Sequence, residues 1–261
     1  MTKLVFDGDR TVGVVLADGQ TVNAPVVVSS LDPKTTLLDL GGERHLPFAL
    51  KRSLRGFRTD GCVAKVNLAL AGLPSFKGID KRLLKERLIV CPSIDHLDRA
   101  FAAYEQGTFS SDPALEITIP STHDATLATP GQHVLSAHVL YVPKTLATAS
   151  WDTAKQDLIA AVGGTLRQYA PDLPDMILGA DLFTPADIER AAGSAGGHWH
   201  GGDLALDQLG ALRPAEGMSR HETPIAGLYL CGAGTHPCGG VTGINGRNAA
   251  EAVLAGAGAS S

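Results

Sequence analysis

The stretch YLCGAGTHPCGGVTGINGRNAAEAV, Tyr229 to Val253, gathers six of the chain's 30 glycines and two of its four cysteines. An apolar run, Gly227 to Cys231, enters it as a strand would, and an alanine-rich run beginning near Asn245 leaves it as a helix would. Between them Gly240, Gly243 and Gly246 recur at every third residue. A strand, a loop and a helix start form a seat for an electron-rich group, because first-turn N–H groups and the helix dipole both point there. Glycine lets the backbone approach a flat or bulky ligand closely. The stretch has no Lys-Ser or Lys-Thr after its glycines, so it is not a Walker A loop, and G-x-G-x-x-G is absent. The competing reading is a tight turn that packs helix on sheet.

Upstream, GGHWHGGD (Gly196–Asp203) places two histidines two residues apart with an aspartate close by. On a strand both imidazoles would share a face. Glycines on either side argue instead for an irregular loop beside a substrate pocket, and no ligand frame such as HExxH supports a metal. Without G-x-S-x-G there is no hydrolase elbow. Cys231 closes the apolar run and reads as a small core residue, whereas Cys238 stands among glycines.

Toward the N-terminus, Thr11–Ser30 reads as a β-meander with a hairpin at Asp18-Gly19 and a buried strand at Val26–Val28. A meander needs a covering layer, and none is expected before it. LDPKTTLLDLGG follows as a turn, a short helix and a glycine stop. Arg44–Arg58 is basic and amphipathic, with Leu50, Leu54 and Phe57 at helical spacing. It is either a solvated helix face or a surface for anionic lipid headgroups. Gly61–Pro74, ALEITIPST and HVLSAHVLYVP read as strands of an antiparallel sheet, with a turn at Pro130-Gly131. Ser150–Pro174 is the clearest helix, striped by Ile159, Val162, Leu166 and Tyr169 and ended by proline. Thr184–Gly193 is a second, short one, and LAGAGASS at the end reads as a frayed tail.

The totals narrow the classes. The chain has 261 residues, 44% hydrophobic and 19% charged, as in a soluble globular protein. A formal net charge of −5 and 5% aromatic residues exclude a general nucleic-acid binder. The cysteines form no CxxC pair, which fits a reducing, cytoplasmic setting without zinc or disulfides. MTKLVFDGDR is too short and too acidic for a secretory signal, and no run approaches the roughly 20 apolar residues of a bilayer span.

GLYLCGAGTHPCGGVTGINGRNAAEAV resembles the C-terminal signature of phytoene-desaturase-like, FAD-dependent flavoproteins of the amine-oxidase type. It is most similar to the branch of the pyridine nucleotide-disulphide oxidoreductase domain-containing 2 proteins. GGHWHGGDLALDQLGALRP with TPIAGLYLCG, the meander GVVLADGQTVNAPVVVSSLDPKTTLLDL and GCVAKVNLALAGLP match the same family in order.

The resemblance implies an α/β (α+β) fold. A mixed substrate-domain sheet with helices would adjoin the returning C-terminal piece of a Rossmann-like FAD domain whose N-terminal βαβ unit is missing. The implied divisions are 1–40 (meander and short helix), 41–220 (substrate domain) and 221–261 (strand, glycine-rich loop and helix). FAD is the implied cofactor, held weakly or not at all by this chain alone. Gly232, Ala233 and Gly234 would approach its diphosphate or ribityl chain, and Gly240, Val241, Thr242 and Gly243 its flavin. The helix from Asn245 would point at the pyrimidine edge. His198, His200 and His236 would line the substrate site; no catalytic acid or base is implied, and no metal. Cys238 departs from the family's glycine, which would strain it if that position needs positive φ. The substrate would be apolar and desaturated, oxidised or isomerised. The alternative is a cofactor-free subunit that self-associates or pairs with a separate N-terminal half. Peripheral membrane contact completes the expected partners.

Overall fold

A computed structural model describes residues 1–258. In chain order its elements are β1 (Lys3–Asp7), β2 (Arg10–Val15), β3 (Thr21–Asn23), β4 (Val27–Ser29), α1 (Phe48–Gly56), β5 (Val63–Leu70), β6 (Leu88–Val90), α2 (Ile94–Glu105), β7 (Leu115–Thr118), β8 (His133–Leu140), α3 (Trp151–Tyr169), α4 (Leu173–Met176), β9 (Ile177–Phe183), α5 (Pro185–Ala192), β10 (Leu228–Leu230) and α6 (Ile244–Gly258). They form two compact units: Met1–Asp60 with Glu189 onward, and Gly61–Ile188. Residues 41–60 and 189–220, grouped with the middle segment in the sequence reading, therefore pack with the first unit.

The second unit is an antiparallel sheet in the order β6-β7-β8-β5-β9. Strand alternation explains it. Ala64, Val66, Leu68 and Leu70 of β5 point to one face and are buried, as are Leu135, Ala137 and Val139 of its partner β8. Leu158, Val162 and Leu166 of α3 complete that core. The buried stripe of α3 is Ala154, Leu158, Val162, Thr165 and Leu166. The expected Ile159 and Tyr169 flank the core, partly buried. α3 stops at Tyr169, just before Pro171. Four elements of this unit lie outside the sequence expectations: β6, β9, α4 and α2, the last capped by the Ser93 hydroxyl, which accepts from the His96 amide at 3.1 Å.

In the first unit the meander begins earlier than expected. β1 pairs antiparallel with β2, and β2 with β3, the last pair closed by the Asp18-Gly19 turn. The expected third meander strand is different in kind. β4 leaves this sheet and pairs in parallel with β10, Val27 to Ser29 lying beside Leu228 to Leu230. Parallel pairing requires a long crossover, and nearly the whole chain supplies it. The short helix after β4 is a single π-type turn, Thr35–Asp39. Leu4, Leu37, Leu54, Ile225, Leu228 and Leu230 share the core of this unit. The tail expected to fray continues α6 as far as Gly258; Ala259–Ser261 lie outside the described residues.

Candidate functional site

β10 delivers the chain into the glycine-rich loop, and α6 takes it away. The first intrahelical bond of α6 runs from the Arg247 amide to the Gly243 carbonyl at 3.0 Å. The Thr242 hydroxyl accepts from the Ile244 amide at 3.3 Å. The next two amides, of Asn245 and Gly246, lie in the helix's first turn, where no intrahelical acceptor exists. Both residues line a cleft of about 250 Å³. Of the residues expected to hold a cofactor, Ala233, Gly240, Val241, Thr242, Gly243 and Asn245 all border this cleft. Trp199 and both Cys231 and Cys238 join them.

Gly232 and Gly234 have another reason to be glycine. A Cβ on Gly232 would strike the Ser30 carbonyl, and one on Gly234 would strike Pro33 and the Gly201 carbonyl. These glycines let the strand end lie directly on the Ser30–Pro33 turn and the His198–Gly202 loop. Asn245 also has a structural task. Its side-chain amide donates to the Gly232 carbonyl (3.0 Å), the Thr235 carbonyl (3.2 Å) and the Thr235 hydroxyl (2.9 Å). That amide is committed inside the loop, so only the backbone N–H of Asn245 faces the helix mouth.

The loop carries backbone strain where a ligand would approach. Cys238 has φ 112° and Val241 φ 55°, both in a region costly for side-chain-bearing residues. Val241 is fully exposed. Gly243 has φ 75°, and a Cβ there would meet no protein atom within 4 Å, so the space above it is open. Cys231, expected in the core, is half-buried at the cleft wall, and burial pushes its thiol pKa up.

The three histidines flank the cleft without lining it. His198 and His200 sit 6.0 Å apart between ring centroids. The His200 amide donates to His198 Nδ1 at 3.2 Å, so that nitrogen carries no proton. Burial lowers the pKa of His198, helped by His200, and burial with Arg213 lowers that of His200. The His200 ring lies directly under Gly239. His236 is half-buried, and its Nδ1 finds no partner among the described residues. No group of three or more His, Cys, Asp or Glu side chains among the described residues is placed to hold a metal.

The residue that organises this region escaped the sequence reading. Arg213 is completely buried. It donates to five backbone carbonyls: Asp203 (2.9 Å) and Gln208 (3.1 Å) through Nη1, and His200 (2.7 Å), Gly202 (3.2 Å) and Ala233 (3.1 Å) through Nη2. Its guanidinium also lies 5.5 Å from the centre of the Phe57 ring. One cation thus ties the histidine loop to the end of β10, and burial lowers its pKa. The only cue in the sequence is a lone arginine in the otherwise uncharged run LGALRPA.

A strand entering a strained glycine loop, a helix mouth facing a cleft and a parallel strand pair beneath them make up this site, and the chain that carries them is similar over nearly its whole length to a pyridine nucleotide-disulfide oxidoreductase domain-containing protein and to phytoene desaturases. It is 38% identical over 94% of its length to pyridine nucleotide-disulfide oxidoreductase domain-containing protein 2 of Rattus norvegicus, covering 44% of that protein. It is 27% identical over 97% of its length to a lycopene-forming phytoene desaturase of a Paracoccus species, covering 48% of it. An oxidoreductase from Methanosarcina mazei superposes with a TM-score of 0.53 at 16% identity, over 97% of this chain and 48% of that one. The chain therefore spans a little under half the length of these relatives. No protein-family model matches it.

Proposed function

We propose that this chain forms the C-terminal part of an FAD-dependent oxidoreductase, with the cleft at the mouth of α6 receiving the ring end of the cofactor. The observation that carries this reading is the convergence of free first-turn amides, the open space over Gly243 and two strained loop residues on one cleft. When bound, FAD would supply two-electron redox chemistry. The chain's own contribution is orientation and charge. The N-terminal amides of α6 favour negative charge at the edge they face.

The fit is partial. A cleft of about 250 Å³ is smaller than the roughly 300–1,000 Å³ typical of whole-ligand pockets. It suits the ring end of a dinucleotide, and the missing G-x-G-x-x-G leaves the adenosine end without its usual seat. The isolated chain should accordingly bind FAD weakly. The relatives named for phytoene support an apolar substrate. A subunit role is the second reading. It is favoured by β4, where Val28 is exposed and its backbone groups point away from β10, open to another strand.

Visible absorption of the purified chain with and without FAD tests the reading. No stable yellow complex is expected from the chain alone, and one should appear when a matching N-terminal half is added. Gly243→Val then separates cofactor seat from turn. If the added side chain only strains the turn, stability falls while FAD still binds the reconstituted protein. If the loop seats the ring, FAD affinity is lost as well.

A further inference from the structure

We propose that Cys231 and Cys238 are a redox-active pair whose disulfide closes the cleft at the mouth of α6. Both thiols are free and partly exposed, and both line that one cleft of about 250 Å³. Six residues separate them, too many for a CxxC pair, so it is the fold that brings them together. Cys231 is anchored at the end of β10, where its amide donates to the Ser29 carbonyl at 2.8 Å. Beyond it the Asn245 side chain holds the Gly232 and Thr235 carbonyls and fixes the outward turn. The return limb comes back against the start of the loop: a Cβ built on Gly239 would lie 3.2 Å from that of Ala233. The residue after Cys238 thus packs on the second residue after Cys231.

Three further observations single out this pair. These are the only cysteines of their compact unit, since Cys62 and Cys91 fall in Gly61–Ile188. Neither sulfur is committed elsewhere: that of Cys231 makes no hydrogen bond among the described residues, and that of Cys238 reaches only the Gly239 carbonyl, at 3.6 Å. Cys238 also holds φ 112°, a conformation costly for any side chain. Glycine would serve a tight turn better, so the strain points to a use for the sulfur.

The step is thiol–disulfide exchange with a small disulfide, for which oxidised glutathione is the probe. Burial pushes the Cys231 thiol pKa up, which leaves Cys238 as the attacking group. Its sulfur attacks one glutathione sulfur, giving a mixed disulfide and releasing one glutathione thiol. Cys231 then attacks the Cys238 sulfur and expels the second. Two hydrogens and two electrons pass from the protein to glutathione, which leaves as two thiols, and no other oxidant is needed. The new bond ties the end of β10 to the return limb across the cleft, on whose wall Trp199 also stands. The proposal does not depend on what the cleft receives.

The test incubates the full chain in mixtures of oxidised and reduced glutathione, then traps the remaining thiols with iodoacetamide for mass and peptide mapping. At the oxidising end the parent should carry a bond between Cys231 and Cys238. Quenching of its tryptophan emission by acrylamide should fall as Trp199 loses access. Cys231→Ser should stop at the mixed disulfide, with one glutathione held on Cys238. Cys238→Gly should form no internal bond, and its quenching should be the same in both buffers. A thermal melt confirms that each chain is folded, and Cys238→Gly, relieved of the φ strain, keeps the comparison available if Cys231→Ser does not fold. Free thiols at both positions in the folded parent at the oxidising end overturn the proposal. So does a bond from either cysteine to Cys62 or Cys91, or a Cys231–Cys238 bond that leaves the quenching unchanged.

Discussion

The unit from Gly61 to Ile188 and the stretch from Gly193 to Gly243 are held together by different physics. The first is a regular sheet and helix whose core is apolar throughout, from Val66 and Leu68 to Leu158 and Leu166. The second is built mainly of turns and bends around the three-residue β10, and its centre is a cation. Where hydrophobic periodicity runs out, hydrogen bonds to backbone carbonyls take over as the organising force. Such a region has few ways to relax, because a buried carbonyl that loses its donor bears the full desolvation penalty.

The largest break in this comparison should come from Arg213→Met. It removes a donor from the carbonyls of His200, Gly202, Asp203, Gln208 and Ala233. The expected cost is about 3–5 kcal/mol in urea denaturation, as for removing one side of a buried charged network. Hydrogen exchange should show the loss concentrated between residues 200 and 233.

Leu158→Ala makes the matching cut in the apolar unit. Leu158 is fully buried, and about 3 kcal/mol should be lost to cavity formation and lost transfer energy. If the two units differ as described, amides near Arg213 keep their protection in this variant.

Cys238→Gly should move the other way. At φ 112° the cysteine is strained and glycine is not, so a gain of roughly 1 kcal/mol is expected from thermal melts. An unchanged or lowered midpoint would mean that the thiol's contacts outweigh the strain.

The smallest effect concerns acid. The folded-state pKa values of His198 and His200 lie below the ordinary 6.5, chiefly through burial. As pH falls through about 6.5, the unfolded chain takes up protons that the folded one resists, so stability drops and levels off only below the folded pKa values. His138 in the sheet unit is also lowered by burial. His198→Gln with His200→Gln should therefore reduce the pH slope of stability without abolishing it, and His138→Gln should remove a separate part.

What could be read from the sequence follows the same division. β5, β7, β8 and α3 were legible because each has one buried face, and burial imposes a period of two or nearly four on the residues. The strand–loop–helix of Leu228–Gly258 was legible for a different reason: glycines crowded between an apolar run and a helical one signal a backbone that bends sharply or is approached closely. Residues Ala233 and Gly240–Gly243 do meet at one cleft. The pairing of β4 with β10 was not legible, because Val27 and Val28 look the same in a meander and in a parallel pair. Asn245 was read for its position, but its amide turned inward to Thr235. Arg213 was invisible because carbonyl acceptors belong to every residue and leave no mark in side-chain pattern.

The pairing of β4 with β10 also bears on how the chain emerges from the ribosome. Residues 61–188 form a continuous unit, so the partners within it are all present once residue 188 has been made. Val27–Ser29 must wait for Leu228–Leu230. At translation rates of about 5–20 residues per second that is a delay on the order of ten seconds or more. Throughout it the β4 segment lacks the strand it pairs with in the folded protein.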